Sequence, residues 1–131
     1  MYARADRHLQ MQQQKKIFIL DDDPEILELL QYILGTQYTL FTKTDTENLE
    51  EDVIGFQPHL IMIDHFIGEV TSNEIITRSL STVRHIPVIL HSAHEEIEKI
   101  SVGAKVAGFI RKPASIHEIR ETIAKILGER N

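Results

Sequence analysis

The chain has 131 residues and no cysteine, and its 14 lysines and arginines against 20 aspartates and glutamates leave a formal net charge of −6. That is the size of one compact domain able to bury a real core. Disulfides, thiol chemistry and a cysteine-bearing zinc site are excluded. The acidic balance argues against direct grip on nucleic acid, which relies on basic surface. No apolar run approaches the roughly 20 residues of a membrane span, so no membrane insertion is expected. No apolar stretch follows the N-terminal charges as in a secretory signal, and a cytoplasmic location is expected.

Residues 1–14 are polar and glutamine-rich. They are expected to form a mobile leader ahead of a folded domain over 15–131, with a short extra helix as the competing reading. Ile17-Phe18-Ile19-Leu20 is a short continuous apolar run, the pattern of a strand buried on both faces. Asp23 as N-cap and Pro24 at the first position predict a helix whose face carries Ile26, Leu27, Leu29, Leu30, Ile33 and Leu34, closed by Gly35. Tyr38 to Thr42 reads as a second strand. Thr44 with Glu47 forms a capping-box pattern for a second helix carrying Leu49, Val53 and Ile54. His59 to Ile63 is the third strand and ends at Asp64.

Thr71 with Glu74 repeats the capping pattern ahead of Ile75, Ile76, Leu80 and Val83. Pro87 to Leu90 reads as the fourth strand, His94 to Val102 as the fourth helix and Val106 to Ile110 as the fifth strand. Ser115 with Glu118 caps a fifth helix carrying Ile116, Ile119, Ile123, Ile126 and Leu127, ended by Gly128. Five strands alternating with five helices predict an α/β fold, a doubly wound parallel sheet with right-handed crossovers and helices on both faces.

In such a sheet the site lies at the carboxyl ends of the strands, near the switch in strand order. Asp21-Asp22-Asp23 follows strand one, Asp64 follows strand three, Ser92 follows strand four, and Lys112-Pro113 follows strand five. Capping accounts for Asp23 but not for Asp21, Asp22 and Asp64 at one edge. Two unit charges 4 Å apart repel by roughly 4 kcal/mol at an effective dielectric of 20, so converging carboxylates need a cation. Hard oxygen ligands suit magnesium. Lys112 adds a fixed positive charge and Ser92 a hydroxyl donor, which together make the parts for phosphoryl transfer. Each part alone has a plainer reading: a solvated strand end, an N-cap, a turn. Their arrival in chain order at four strand ends favours the chemical one.

The series Asp21-Asp22, Asp64, Ser92 and Lys112-Pro113 resembles response regulator receiver domains, from Lys15 to the C-terminus. Gly103-Ala104 through Phe109-Ile110-Arg111-Lys112-Pro113 looks like that family's final strand. The resemblance implies a flavodoxin-like strand order 2-1-3-4-5. It implies that Asp64 accepts a phosphoryl group from a histidine kinase or histidine phosphotransfer protein. It implies that Asp21, Asp22, Asp64 and the backbone carbonyl of Phe66 hold magnesium. Ser92 and Lys112 would bind phosphoryl oxygens, Ser92 and Phe109 would be the switch pair, and Ala93 would leave room for the group. The fourth helix, fifth strand and fifth helix would form the face that meets a second copy or an effector. A cis peptide is implied between Lys112 and Pro113.

After Asp64 the family often has Met-Pro and an acidic-glycine turn. Here the segment is His65-Phe66-Ile67-Gly68-Glu69-Val70-Thr71-Ser72, and Gly68 predicts a conformationally freer loop. The resemblance implies that Phe66, two after the acceptor, and His94, two after Ser92, flank the path of a hydrolytic water, and they are expected to set the lifetime of the phosphorylated state. His65, His91 and His94 could also suggest a histidine-carboxylate metal site, but exposed loop histidines are the plainer reading. Two further functions stand as alternatives: a receiver-like interaction module that works without phosphate, and a small magnesium-dependent phosphohydrolase. The latter would want an acid where Phe66 stands. Any catalysis by the receiver is confined to its own phosphorylation and dephosphorylation.

Overall fold

The structure, a computed structural model, describes residues 14–129. The leader expected over residues 1–14 lies outside the described residues except for Gln14. Strand β1 (Lys16–Leu20) has four consecutive buried residues, as the unbroken apolar run predicts. The period of two divides them: Phe18 and Leu20 enter one half of the core, Ile17 and Ile19 the other. The same split runs through β3 (Leu60–Ile63) and β6 (Val88–Ser92), with Ile61, Ile63, Val88 and Leu90 on the first side and Leu60, Met62 and Ile89 on the second.

Helix α1 (Pro24–Leu34) starts on Asp23, whose carboxylate accepts the Glu25 N–H. With α5 (Ile116–Ile126) it covers the second face through Leu27, Leu30, Ile33, Ile119 and Ile123. Helix α2 (Leu49–Phe56), residues 72–83 and helix α4 (Ile97–Ala104) cover the first face through Leu49, Val53, Ile75, Leu80 and Ile97. Strand β2 (Thr39–Lys43) lies at one edge and β7 (Gly108–Arg111) at the other. The sheet order is β2-β1-β3-β6-β7 with every pair parallel. This is the expected 2-1-3-4-5 arrangement once the two short strands of a separate hairpin, β4 (Phe66–Ile67) and β5 (Val70–Thr71), are set aside.

Several local expectations are corrected. Helix α2 begins at Leu49, not in the Thr44 capping box. Asp45 Oδ1 instead accepts the Glu47 N–H at 3.0 Å in an Asx turn, and Asn48 enters the helix at φ 54° with no side-chain cap. Ile54 and Leu29 face solvent rather than the core.

The third helix is α-helical only over Ser72–Glu74 (α3). It continues as a π turn over Ile75–Ser79 and a 3₁₀ turn over Ser81–Val83. Buried Ile75 and Leu80 are five residues apart, which an α-helix would place about 140° apart around its axis. The i→i+5 bond from Leu80 N–H to the Ile75 carbonyl, 3.0 Å, brings them back to one side. Thr77 Oγ1 donates to the Asn73 carbonyl at 2.8 Å, a back-bond that also disturbs regular helix. Helix α4 starts at Ile97 rather than His94, since the Ile97 N–H first closes a turn on the His94 carbonyl. Ser115 caps α5 as predicted, accepting the Glu118 N–H at 3.0 Å, and Gly128 follows the helix at φ 72°.

Candidate functional site

Strand order reverses between β1 and β3, and their register sets Leu20 beside Ile63. The next residues, Asp21 and Asp64, therefore leave the sheet side by side. Ile63 is also opposite Leu90, and Ser92 opposite Arg111, which delivers Ser92 and Lys112 to the same edge. The sheet thus collects in space what the sequence spreads over ninety-one positions between Asp21 and Lys112.

Lys112 joins the two strand ends. Its Nζ donates to Asp21 Oδ2 at 2.8 Å and to Asp64 Oδ2 at 2.9 Å. The peptide between Lys112 and Pro113 is cis, as the resemblance implied. Asp21 is almost fully buried, and its Oδ1 also accepts the Asp23 N–H at 3.0 Å. Burial pushes the Asp21 carboxyl above its ordinary range, opposed mainly by the bond from Lys112. Burial alone would pull the Lys112 ammonium down, but the hydrogen bonds to Asp21 and Asp64 outweigh it and the net shift is upward. Asp64 Oδ1 accepts the N–H of His65 at 2.6 Å. Asp22 is exposed, and its Oδ2 accepts the Gly68 N–H at 3.0 Å.

One oxygen from each of Asp21, Asp22 and Asp64 lies within 4.8 Å of the others, a group that could hold a metal ion. Adjacent ligands of an octahedral magnesium at about 2.1 Å are about 3.0 Å apart and opposite ones about 4.2 Å, so the three oxygens would draw closer together around the ion. All-oxygen donors and the uncompensated Asp22 charge fit a hard divalent cation.

Ser92 is buried, its Oγ accepts the His94 N–H at 3.2 Å, and its carbonyl accepts the Lys112 N–H at 2.9 Å. Ala93 is exposed beside it. Phe109 is half-buried against the first half-core, with the Arg111 guanidinium carbon 5.9 Å from its ring centroid. The ring of Phe66 is 46% exposed and stands edge-on to His65 at 4.5 Å and tilted to His94 at 6.2 Å.

The exposed-loop reading of the histidines fails at two positions. His65 and His91 are buried, and only His94 keeps partial exposure. None of the three joins the candidate metal group. Burial, then the neighbouring His94, lowers the His65 pKa. The Nδ1 of His65 is 2.8 Å from Ser72 Oγ. Neither His65 as a structural residue nor Ser72 was foreseen. The signal available was a hairpin pattern, Phe-Ile, Gly-Glu, Val-Thr, that places positions 65 and 72 across from each other. Nor is the segment loose: Gly68 sits at φ 60° and Glu69 does not share the positive φ, as in a II′ hairpin turn.

Residues 17–124 match the response regulator receiver domain family. The nisin biosynthesis regulatory protein NisR of Lactococcus lactis subsp. lactis is 32% identical over 117 residues, covering 85% of this chain and 48% of that protein. Sporulation initiation phosphotransferase F of Bacillus subtilis (strain 168) is 28% identical, with 86% and 94% covered. A further relative is the sensor histidine kinase TmoS of Ectopseudomonas mendocina, at 24% identity, of which the chain spans 12%. The chain thus spans a small part of that kinase and about half of NisR.

Among solved structures, the N-terminal domain of the nisin resistance regulator NsrR superposes with a TM-score of 0.78 at 27% identity, covering 88% of this chain and 99% of that one. The chain belongs to the response regulator receiver domain family, the phosphoryl-accepting module of two-component signalling.

Proposed function

We infer that Asp64 is the phosphoryl acceptor and that Asp21, Asp22 and Asp64, with the Phe66 carbonyl, form the magnesium site. The observation that carries this reading is the Lys112 ammonium bridging Asp21 and Asp64 beside a third carboxylate at the strand-order switch. An Asp64 oxygen attacks phosphorus, the bond from phosphorus to the donor breaks, and its electron pair leaves with the donor group. The product is an aspartyl phosphate. Magnesium, which Asp21, Asp22, Asp64 and the Phe66 carbonyl would hold, would supply positive charge to offset that of the incoming phosphoryl group. Lys112, whose ammonium lies on Asp21 and Asp64, supplies a second positive charge, and the Ser92 hydroxyl donates to a phosphoryl oxygen. These fixed charges oppose the repulsion between incoming phosphate and Asp64.

The donor is a histidine kinase or histidine phosphotransfer protein. The added charge, about −1.5 to −2, draws Ser92 toward the phosphoryl group and lets the half-buried Phe109 turn inward. The face of α4, β7 and α5 then changes toward a second copy or an effector. Phe66 and His94 set the lifetime of the modified state. Among the described residues no helix is long and apolar enough to cross a membrane. A cytoplasmic domain that contacts nucleic acid only through a partner fits the acidic composition.

Incubation with acetyl phosphate and magnesium tests the assignment by intact-mass spectrometry. Wild-type protein should gain one phosphoryl group and Asp64→Asn none. An equal gain in that variant removes Asp64 from its role.

A further inference from the structure

The three carboxylates differ in what holds them. Asp21 is fixed by Lys112 and the Asp23 N–H, and Asp64 by Lys112 and the His65 N–H. Asp22 is exposed, and among the described residues its carboxylate has one hydrogen bond, from the Gly68 N–H to Oδ2. The orientation of the third carboxylate therefore depends on where the β4–β5 hairpin holds its tip.

A hairpin with two residues in each strand does not persist on its own strand pairing. Its base is closed by His65 and Ser72. The Ser72 N–H donates to the His65 carbonyl at 2.6 Å, and Ser72 Oγ lies 2.8 Å from His65 Nδ1. Both residues are buried, at 8% and 0% exposure, so the side-chain bond has little competition from water. Between them, Ile67 is anchored in the first half-core. The tip, Gly68, is then presented to Asp22 across 46 residues of sequence.

We propose that His65 and Ser72 are positioning residues for the magnesium site: their buried hydrogen bond closes the hairpin, which holds the Gly68 N–H on Asp22 and fixes the third carboxylate with Oδ1 open. The proposal rests on the reading of Asp21, Asp22 and Asp64 as that site. An exposed aspartate otherwise samples several rotamers, and the ion would have to order it. Partners that orient a metal ligand typically change affinity 10–100-fold.

The test is magnesium titration by calorimetry on wild type, His65→Leu, Ser72→Ala and His65→Asn, with hydrogen exchange at the Gly68 amide. Asparagine keeps a polar atom at the position of Nδ1, whereas leucine places a methyl there. His65→Leu and Ser72→Ala should weaken magnesium about tenfold and speed Gly68 exchange in metal-free protein. His65→Asn should stay within about threefold of wild type. Wild-type affinity in both breaking variants overturns the proposal, and so does a loss in His65→Asn equal to that in His65→Leu.

Should the breaking variants fail to fold, wild type alone decides. By reciprocity of coupling, saturating magnesium must slow Gly68 exchange, and an unchanged rate overturns the proposal. Failure of wild type to bind magnesium instead overturns the site assignment, and the proposal with it.

Discussion

His91 lies on β6 facing α1 and α5, beside a cavity of about 300 Å³ lined by Ile26, Leu29, Leu30 and Ile119. Its Nδ1 is buried without a hydrogen-bond partner among the described residues. Burial pushes its pKa down to about 4, the Lys112 charge adds to that, and Asp64 opposes it. The unfolded imidazole, near 6.5, binds the proton that the folded one refuses, so stability should fall as the pH drops from 6.5 toward 4. Between pH 7 and pH 5 the contribution is about 2 kcal/mol. Urea unfolding at both pH values should show His91→Leu losing less stability than wild type by about that amount. Equal losses would mean that His91 titrates normally in the folded protein.

Phe66 decides a second residue-scale outcome. A phenylalanine cannot orient a water, and its half-exposed ring stands over the same segment as His65 and His94. Phe66→Asn should shorten the lifetime of the phosphorylated state about tenfold, equivalent to about 1.4 kcal/mol in the barrier. Decay followed by intact mass would refute this if mutant and wild type matched.

At the scale of elements, two of the three serine- and threonine-led helix starts separate a real cap from an apparent one. Ser115 Oγ accepts the Glu118 N–H, so Ser115→Ala should lower stability by about 1 kcal/mol. Thr44 is exposed and starts no helix, so Thr44→Ala should change stability by less than about 0.5 kcal/mol. Denaturant melts of the two variants give the comparison, and a large effect at Thr44 would contradict the helix start at Leu49.

The same contrast explains what was legible. Asp23-Pro24 and Ser115 mark starts correctly because the hydroxyl or carboxylate has no competing local partner. Near Thr44, Asp45 captures the Glu47 N–H and Lys43 pairs with Asp45 and Asp52, so the chain stays in a turn. The π turn after Glu74 was hidden because Ile75, Ile76, Leu80 and Val83 also suit a regular helix read loosely. Only the five-residue spacing of Ile75 and Leu80 hinted otherwise.

For the whole molecule, the alternation of apolar strands with amphipathic helices was enough to give a doubly wound parallel sheet, while its strand order came from the family resemblance. Each central strand is buried on both faces, which leaves few other arrangements for such runs. The site was legible because its acids sit directly after strands, where the fold must bring them together. Its support was not: His65, Ser72 and the Gly68 tip act through a hairpin whose bonds depend on tertiary burial. The burial of His91 was equally invisible, since it follows from the placement of α1 and α5 over β6.

All of this converges on the claim that the sheet edge exists to carry one phosphoryl group on Asp64. The most direct measurement is to phosphorylate the protein with acetyl phosphate and magnesium, reduce the acyl phosphate with borohydride, and map the product by peptide mass spectrometry. Reduction converts an aspartyl phosphate to homoserine and so marks the acceptor by position. The account predicts homoserine at position 64 alone. Homoserine at position 21 or 22, or an unmodified Asp64 peptide from protein that carries the phosphoryl group, would contradict it.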